Sequence, residues 1–228
     1  MKKIFLLLGL LLLPLFLCGF GSLPFLPGGQ KAGPNLTAAN LSEYPVFLID
    51  DFEDGLYTES PEWYVFDNII PAMAQNSRLP DPDLNYFKSL GKYSLQLRGA
   101  ASNWYVGGIG TVLQQDILAY DTFVLSVYGY GQYSGVLKIE LYDDDNNNGE
   151  IEVDPKWVPL YDDRFIFEVP ITWQGWRPVV LPIKQFKVDG GGNKVFDPGL
   201  VKIQLIGLAN SESGSVKFNV DNLSFIEL

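Results

Sequence analysis

The sequence predicts an all-β protein, a sandwich or barrel of short antiparallel strands, on three observations. The composition is that of strands joined by tight turns, with 23 glycines, 15 prolines and 14% aromatic residues in 228, the types that favour half-buried pleated ladders and the turns between them. About ten segments alternate apolar and polar side chains with the two-residue period of a strand buried on one side. Between them lies no helical period to supply the crossovers of a parallel sheet.

The chain opens with Met1, Lys2 and Lys3 before an apolar run over residues 4–17, a basic start and hydrophobic stretch of signal-peptide length. Residues 1–22 therefore read as an export leader of bacterial type. Its ending LFLC, residues 15–18, resembles the bacterial lipobox, whose cysteine is lipidated and becomes the mature N-terminus; Leu17 stands where that pattern has a small residue. The alternatives to lipidation at Cys18 are ordinary cleavage near Gly19, Gly21 and Ser22, or retention of the apolar run through Leu26 as an anchor. Residues 23–44, rich in Pro, Gly, Ala and Asn without a period, read as a flexible linker. Residues 45–228 read as one domain large enough to bury its own core. The expected location is exported, in the bacterial cell envelope or secreted.

Within the domain, strands are expected at residues 45–52, 63–66, 93–98 and 104–111. The last is loosened by Gly107, Gly108 and Gly110, which mark a bulge or a close approach of backbone. Residues 68–90 carry three prolines and no clear period, and read as a long loop. Residues 123–130 set Phe123, Leu125 and Val127 on one side and Ser126, Tyr128 and Tyr130 on the other. Residues 136–142 set Leu137, Ile139 and Leu141 against Lys138, Glu140 and Tyr142, and the two strands are expected to pair. Strands at 164–171, 176–182, 201–208 and 215–226 complete the set.

The stretch 136–154, VLKIELYDDDNNNGEIEVD, reads as a hairpin whose turn is crowded with oxygen ligands. Asp144, Asn146 and Asn148 alternate before Gly149, and Ile151 follows, as in the first eight positions of an EF-hand-type calcium loop. Glu152 falls at position nine, whereas position twelve is Pro155 and Asp154 sits one place early, so the ligand set differs from that pattern. Asp162 and Asp163 are candidates to complete it. Calcium is the expected cofactor, against the alternative of a solvated Asn-rich turn. A second use of the same stretch is catalytic: Glu150, Glu152 and Asp154 would alternate on one face of a strand. This resembles the paired carboxylates of jelly-roll glycosidases and would make the protein a glycoside hydrolase working through Glu150 and Glu152.

Charge and residue usage narrow the classes further. The 27 acidic residues outnumber 16 basic ones for a net charge of −11, which repels phosphate backbones and excludes nucleic acid as a natural partner. There is no histidine, so histidine-dependent triads and zinc sites are excluded. The single cysteine, Cys18, lies in the leader, so the domain holds no disulfide.

Several fragments in order carry a family resemblance. They are DDFED (50–54), GKYSLQL (91–97), FVLSVYGYG (123–131), GWRPVVLPIKQF (175–186) and VKFNVDNLSFI (216–226). Together they resemble the galactose-binding-like jelly-roll modules, closest to the family-eleven carbohydrate-binding modules and the complex I intermediate-associated protein family. The resemblance implies a jelly-roll β-sandwich of two antiparallel sheets. It also implies a structural calcium tying the first strand to the last through Asp51, Glu53 and Asp221, with carbonyls near Gly55 and Lys92.

Such modules hold ligands along a sheet face, and the outward set here contains Tyr128, Tyr130, Lys138, Glu140, Tyr142 and Gln204, with Ser126, Lys202 and Asn219. Aromatic planes beside hydrogen-bonding groups suit sugars. The expected function is therefore a non-catalytic, calcium-stabilised carbohydrate-binding module, exported and envelope-tethered, with a glycan as partner. A structural module of the envelope that binds an envelope protein and has no sugar site is the alternative.

Overall fold

A computed structural model describes residues 46–80, 90–113, 117–197, 199 and 201–228. The leader, Cys18 and the linker lie outside them. The described residues form twelve strands: β1 (Val46–Asp50), β2 (Tyr64–Asp67), β3 (Ile70–Gln75), β4 (Tyr93–Ala100), β5 (Tyr105–Leu113), β6 (Thr122–Tyr130), β7 (Val136–Asp143), β8 (Asp163–Pro170), β9 (Gln174–Pro182), β10 (Lys187–Gly190), β11 (Val201–Leu208) and β12 (Ser215–Ile226). Among these residues the helical pieces are two short 3-10 turns, Asn76–Arg78 and Ile183–Gln185.

The strands make two antiparallel sheets. One runs β3-β4-β12-β6-β9, with β1 also paired to β12; the other runs β10-β8-β7-β11-β5-β2. Their facing sides carry the alternating apolar sets that the period marks. Leu95, Leu97, Phe123, Leu125, Val127, Phe218 and Val220 come from the first sheet, and Ile109, Leu137, Ile139, Leu141, Ile203 and Leu205 from the second, all in one buried cluster. Phe123 and Phe225 meet edge to face at 5.1 Å. Close-packed burial of such side chains contributes roughly 25 cal/mol per Å² removed from water and drives the two sheets together.

Three expectations are corrected. Strands β6 and β7 do not pair: β6 lies between β12 and β9, and β7 between β11 and β8, in different sheets. Strand β3 lies inside the segment expected to be a loop, at the edge of its sheet, where Pro71 needs no ladder donor. Finally, the alternation at 150–154 is not a strand. The hairpin partner of β7 is β8, and between them residues 144–162 contribute only the isolated bridge Val153↔Pro159.

Candidate functional site

The outer face of the second sheet carries an aromatic platform. Strand β2 pairs with β5 so that Tyr64 faces Gly110 and Phe66 faces Gly108. These glycines let the rings lie on the strand: a Cβ on Gly110 would overlap the Tyr64 hydroxyl and ring, and one on Gly108 would lie 2.8 Å from the Phe66 ring. The two rings are 6.0 Å apart and tilted by 36°. Tyr64 is 39% exposed, so one surface of its ring faces solvent.

Polar groups continue across the same sheet. Gln204 Nε2 donates to the Tyr64 hydroxyl at 3.0 Å, and the Tyr142 hydroxyl lies 2.6 Å from Glu140 Oε2 and 3.2 Å from Gln204 Oε1. Glu140, although buried, is balanced by Lys138 Nζ at 2.5 Å and Arg164 at 3.7 Å. Arg164 grips Asp189 through Nε and an Nη (2.9 and 2.8 Å) and donates to the Trp157 carbonyl at 3.0 Å, a planar fork used on both sides. Lys202 stands 4.9 Å over the Tyr142 ring. Burial pushes its ammonium below the usual lysine range, partly offset by Glu140. Burial, then Glu140, raises the Tyr142 phenol well above its usual value.

The 144–162 connection rises beside this face. Tyr64, Val112 and Lys202 from the sheet, with Gly149, Glu150 and Ile151 from the connection, line a cleft of about 370 Å³. That is the size of a small-ligand site.

The structure separates the residues expected to share one face. Lys138, Glu140, Tyr142, Lys202 and Gln204 do belong together. Tyr128, Tyr130, Ser126 and Asn219 lie on the outer side of the other sheet. There Leu90, Tyr128 and Trp176 form a second small apolar cluster with Leu79 and Tyr130 against it, and the Tyr128 hydroxyl donates to the Pro80 carbonyl at 2.9 Å. Tyr128 is 1% exposed. Tyr130, Gln96, Asn219 and Ser94 close a hydrogen-bond network beside it. Tyr128 is therefore packed away, while Tyr130 is half-buried with its hydroxyl engaged by Asn219. Sequence reasoning missed Tyr64 and Phe66; the signal was the glycine pattern of β5, whose missing side chains make room for rings on its neighbour.

Carboxylates gather under the wall of the cleft. Asp143 ends β7 directly opposite Asp163, which begins β8. With Asp145 they form, among the described residues, the set of three carboxylates whose oxygens come within 4.8 Å of one another. Asp143 and Asp163 are buried, and both Asp145 oxygens are inaccessible to solvent. The 190–192 turn packs so closely that a Cβ on Gly192 would overlap Asp145 Oδ2. Burial, with Asp145 and Asp163 adding repulsion, pushes the Asp143 carboxyl up to about 7. Lys194 Nζ answers one charge, 2.9 Å from Asp163 Oδ1. This buried triad could hold a metal ion, and its all-oxygen donors suit a hard divalent cation.

Next to the triad, the Asn-rich turn folds around Asp144, which accepts from the amides of Asn148 (3.2 Å) and Gly149 (2.7 Å). Asn146 Oδ1 and Asn148 Oδ1 accept from the amides of Asn148 and Glu150. Asn148 Nδ2 donates to Glu152 Oε1 at 2.6 Å. Asp162 Oδ1 accepts from the Asp145 amide at 3.2 Å. Asp162 Oδ2 and Glu152 Oε2 are inaccessible and unpartnered. Burial, then repulsion from Asp144 and Glu152, pushes Asp162 up to about 6. Asp154 turns away, accepting from the amides of Lys156 and Val158. With Glu150, Glu152 and Asp154 on a connection and not a strand, the alternation that would have aligned them for glycoside hydrolysis is absent.

At the other end, Asp221 on β12 is fully buried, and burial, with repulsion from Glu53 and Asp51, pushes its carboxyl up to about 8. Asn76 Nδ2 is within 3.2 Å of three oxygens: the carbonyls of Leu90 and Tyr93 and Asp221 Oδ2. An amide nitrogen has two hydrogens to offer them, and Asn76 Oδ1 is buried and unpartnered. Glu53 Oε1 accepts from the amides of Lys92 (2.7 Å) and Tyr93 (2.8 Å). The first strand's extension, β4 and the last strand thus meet around Asn76, with Glu53 and Asp221 also taking backbone amides, and their carboxylates do not approach one another as closely as those of Asp143, Asp145 and Asp163. The Lys92 carbonyl accepts from the Asn76 amide at 2.9 Å, and the Gly55 amide donates to the Phe52 carbonyl at 3.0 Å.

No family model matches the chain, and no curated protein matches it in sequence. Solved structures do. A family 11 carbohydrate-binding module from Clostridium thermocellum, in complex with a β-1,3-1,4-mixed-linked tetrasaccharide, is 14% identical with a TM-score of 0.50, covering 79% of this chain and 95% of its own. The solution structure of CtCBM11 is 14% identical with a TM-score of 0.51, covering 82% of this chain and 98% of its own. At that identity the likeness shows the fold, a jelly-roll β-sandwich.

Proposed function

We propose that this protein is a non-catalytic glycan-binding module that captures a polysaccharide chain on the outer face of its second sheet. The observation that carries this reading is the Tyr64 and Phe66 platform on the glycines of β5, at the edge of a cleft of about 370 Å³. A pyranose stacks its C–H face on such a ring while its hydroxyls need the donors and acceptors that Gln204, Lys202 and Glu150 supply. The likeness in fold to a module solved with a mixed-linked tetrasaccharide supports the ligand class.

Calcium is the proposed structural ion. Asp143, Asp145 and Asp163 would hold one ion, and Asp221, Glu53 and Asp51 with Asn76 another between the first and last strands, each offsetting carboxylate repulsion that the folded chain otherwise carries. Export, with Cys18 as lipid anchor to the bacterial envelope, is proposed from the basic start and apolar run of residues 1–17.

Affinity electrophoresis on mixed-linked β-glucan, xylan and β-1,4-galactan tests the function, with calorimetry on the mixed-linked tetrasaccharide. Wild-type protein should be retarded on at least one of the three, and Tyr64→Ala should lose at least ten-fold in affinity. A wild type that migrates freely on all three, or a Tyr64→Ala variant bound as tightly, would refute it.

A further inference from the structure

We infer that Trp157 is a second stacking platform for the glycan, standing across the second sheet from Tyr64, so that the protein grips an extended stretch of polysaccharide at two points. This deepens the glycan reading above and rests on it.

The register of the second sheet lines up the ground between the two rings. Val112 on β5, Lys202 on β11, Tyr142 on β7 and Arg164 on β8 are successive partners in one row. Val112 and Lys202 line the cleft with Tyr64. Three strands along the row, about 14 Å at the usual strand spacing, Arg164 Nη1 donates to the Trp157 carbonyl at 3.0 Å. The connection that supplies Gly149, Glu150 and Ile151 to the cleft wall thus reaches the same row again at Arg164, and brings Trp157 to its β8 end.

Trp157 is mounted on a pinned turn. Its amide donates to the Asp154 carbonyl at 2.9 Å, the Asp154 amide donates to the Val158 carbonyl at 2.9 Å, and Asp154 Oδ1 accepts from the amides of Lys156 and Val158. The bridge Val153↔Pro159 and the Leu160 amide on the Glu152 carbonyl close the small hairpin beneath. At its apex Trp157 has a φ of 62°, a left-handed conformation that a bulky side chain avoids and glycine adopts freely. Packing does not account for the choice of residue. The side chain is 73% exposed, and among the described residues its ring has no stacking partner and its indole nitrogen no acceptor. A broad aromatic surface held in solvent at a cost to the backbone points to a ligand. Between the two rings the row offers an ammonium, a phenol and a guanidinium, which suits a hydroxylated chain and not an apolar peptide or a lipid surface.

Oxidation of exposed indoles by N-bromosuccinimide in the full-length protein, mapped by peptide mass spectrometry, tests this. Trp104, 48% exposed on the β4–β5 turn, is the internal control. Saturating mixed-linked β-glucan, xylan or β-1,4-galactan, whichever retards the wild type, should slow oxidation of Trp157 at least ten-fold and leave Trp104 unchanged. Trp157→Gly, which removes the ring and the backbone strain together, should lose at least ten-fold in affinity for that polysaccharide with its Tm unchanged or higher, and Trp157→Phe should recover most of the affinity. Oxidation of Trp157 indifferent to a polysaccharide whose binding needs Tyr64, or Trp157→Gly bound as tightly as wild type, overturns the second platform and leaves the glycan reading standing. A lowered Tm in Trp157→Gly would make the indole a structural group and overturns it too. Shielding of Trp157 before any glycan is added, relieved on dilution, would assign the ring to a second copy of the chain and likewise overturns it. No retardation of wild type on any of the three overturns the platform and the glycan function together.

Discussion

The Tyr64 hydroxyl accepts a hydrogen bond from Gln204 Nε2 at 3.0 Å across the backbone of Gly110, so an edge strand and a central strand hold one ring flat from both sides of a residue that has no side chain. Gly110→Ala would put a methyl group where the hydroxyl and ring now lie. Because the obstructed group is the far end of a side chain on an edge strand, the fold should survive with a loss of about 1 kcal/mol or less. The platform should not survive. Retardation on a bound polysaccharide should drop at least ten-fold while the Tm moves by a few degrees; retained retardation would show that the ring does not contact ligand.

Tyr128 should behave in the opposite way. It is buried against Leu90 and Trp176, so Tyr128→Ala should cost about 3–5 kcal/mol, as large aromatic truncations in cores do. Denaturant unfolding measures it. Affinity per folded molecule should be unchanged, and a selective loss of binding at full stability would return Tyr128 to the ligand face.

Chelation should lower the Tm. An ion present at a hundred times its Kd stabilises by about 2.7 kcal/mol, which for a domain of this size is a shift of roughly 5–10 °C. Asp163→Asn should reduce the calcium-dependent part, since Asp163 belongs to the triad of oxygens within 4.8 Å. A scan identical in calcium and in chelator would remove structural ions from the description.

Chelated protein should also be destabilised by rising pH. Burial lifts the carboxyls of Asp221 to about 8, Asp143 to about 7, and Asp50 and Asp162 to about 6, from an ordinary 3.8. The native state therefore keeps protons that the unfolded chain has already released, and stability falls as pH climbs from about 4 to about 8. Excess calcium should flatten this slope, because the ion replaces the proton as counter-charge. A chelated Tm that rises between pH 5 and pH 8 would contradict the raised values.

Much of the architecture could be read from residue periods. The inward sets of β6 and β7 were legible because alternation states which side of a strand is apolar. Which strands would be neighbours was not, and β6 and β7, adjacent in sequence, ended in different sheets. Pairing depends on contacts far apart in the chain, and alternation carries no label for a partner. For the same reason one expected ligand face became two, with Tyr142 and Gln204 on one and Tyr130 beside a buried Tyr128 on the other. The acidic turn was legible as an oxygen-rich loop, yet its charges converge through Asp162 and Asp163, brought back by the β7–β8 ladder. Edge strands β3 and β10 escaped because short strands at a sheet margin need little alternation.

Strand β1 runs antiparallel along the end of β12, with Val46 beside Ile226 and Asp50 beside Leu223. A tensile load entering at Val46 and leaving at Ile226 would therefore peel the pair open rung by rung, the weakest way to stress hydrogen bonds, instead of shearing them all at once. Asp51, Glu53 and Asp221 stand at the inner end of that short zipper. An ion seated there would act as a latch, and the force at which the module gives way under pulling would report on calcium.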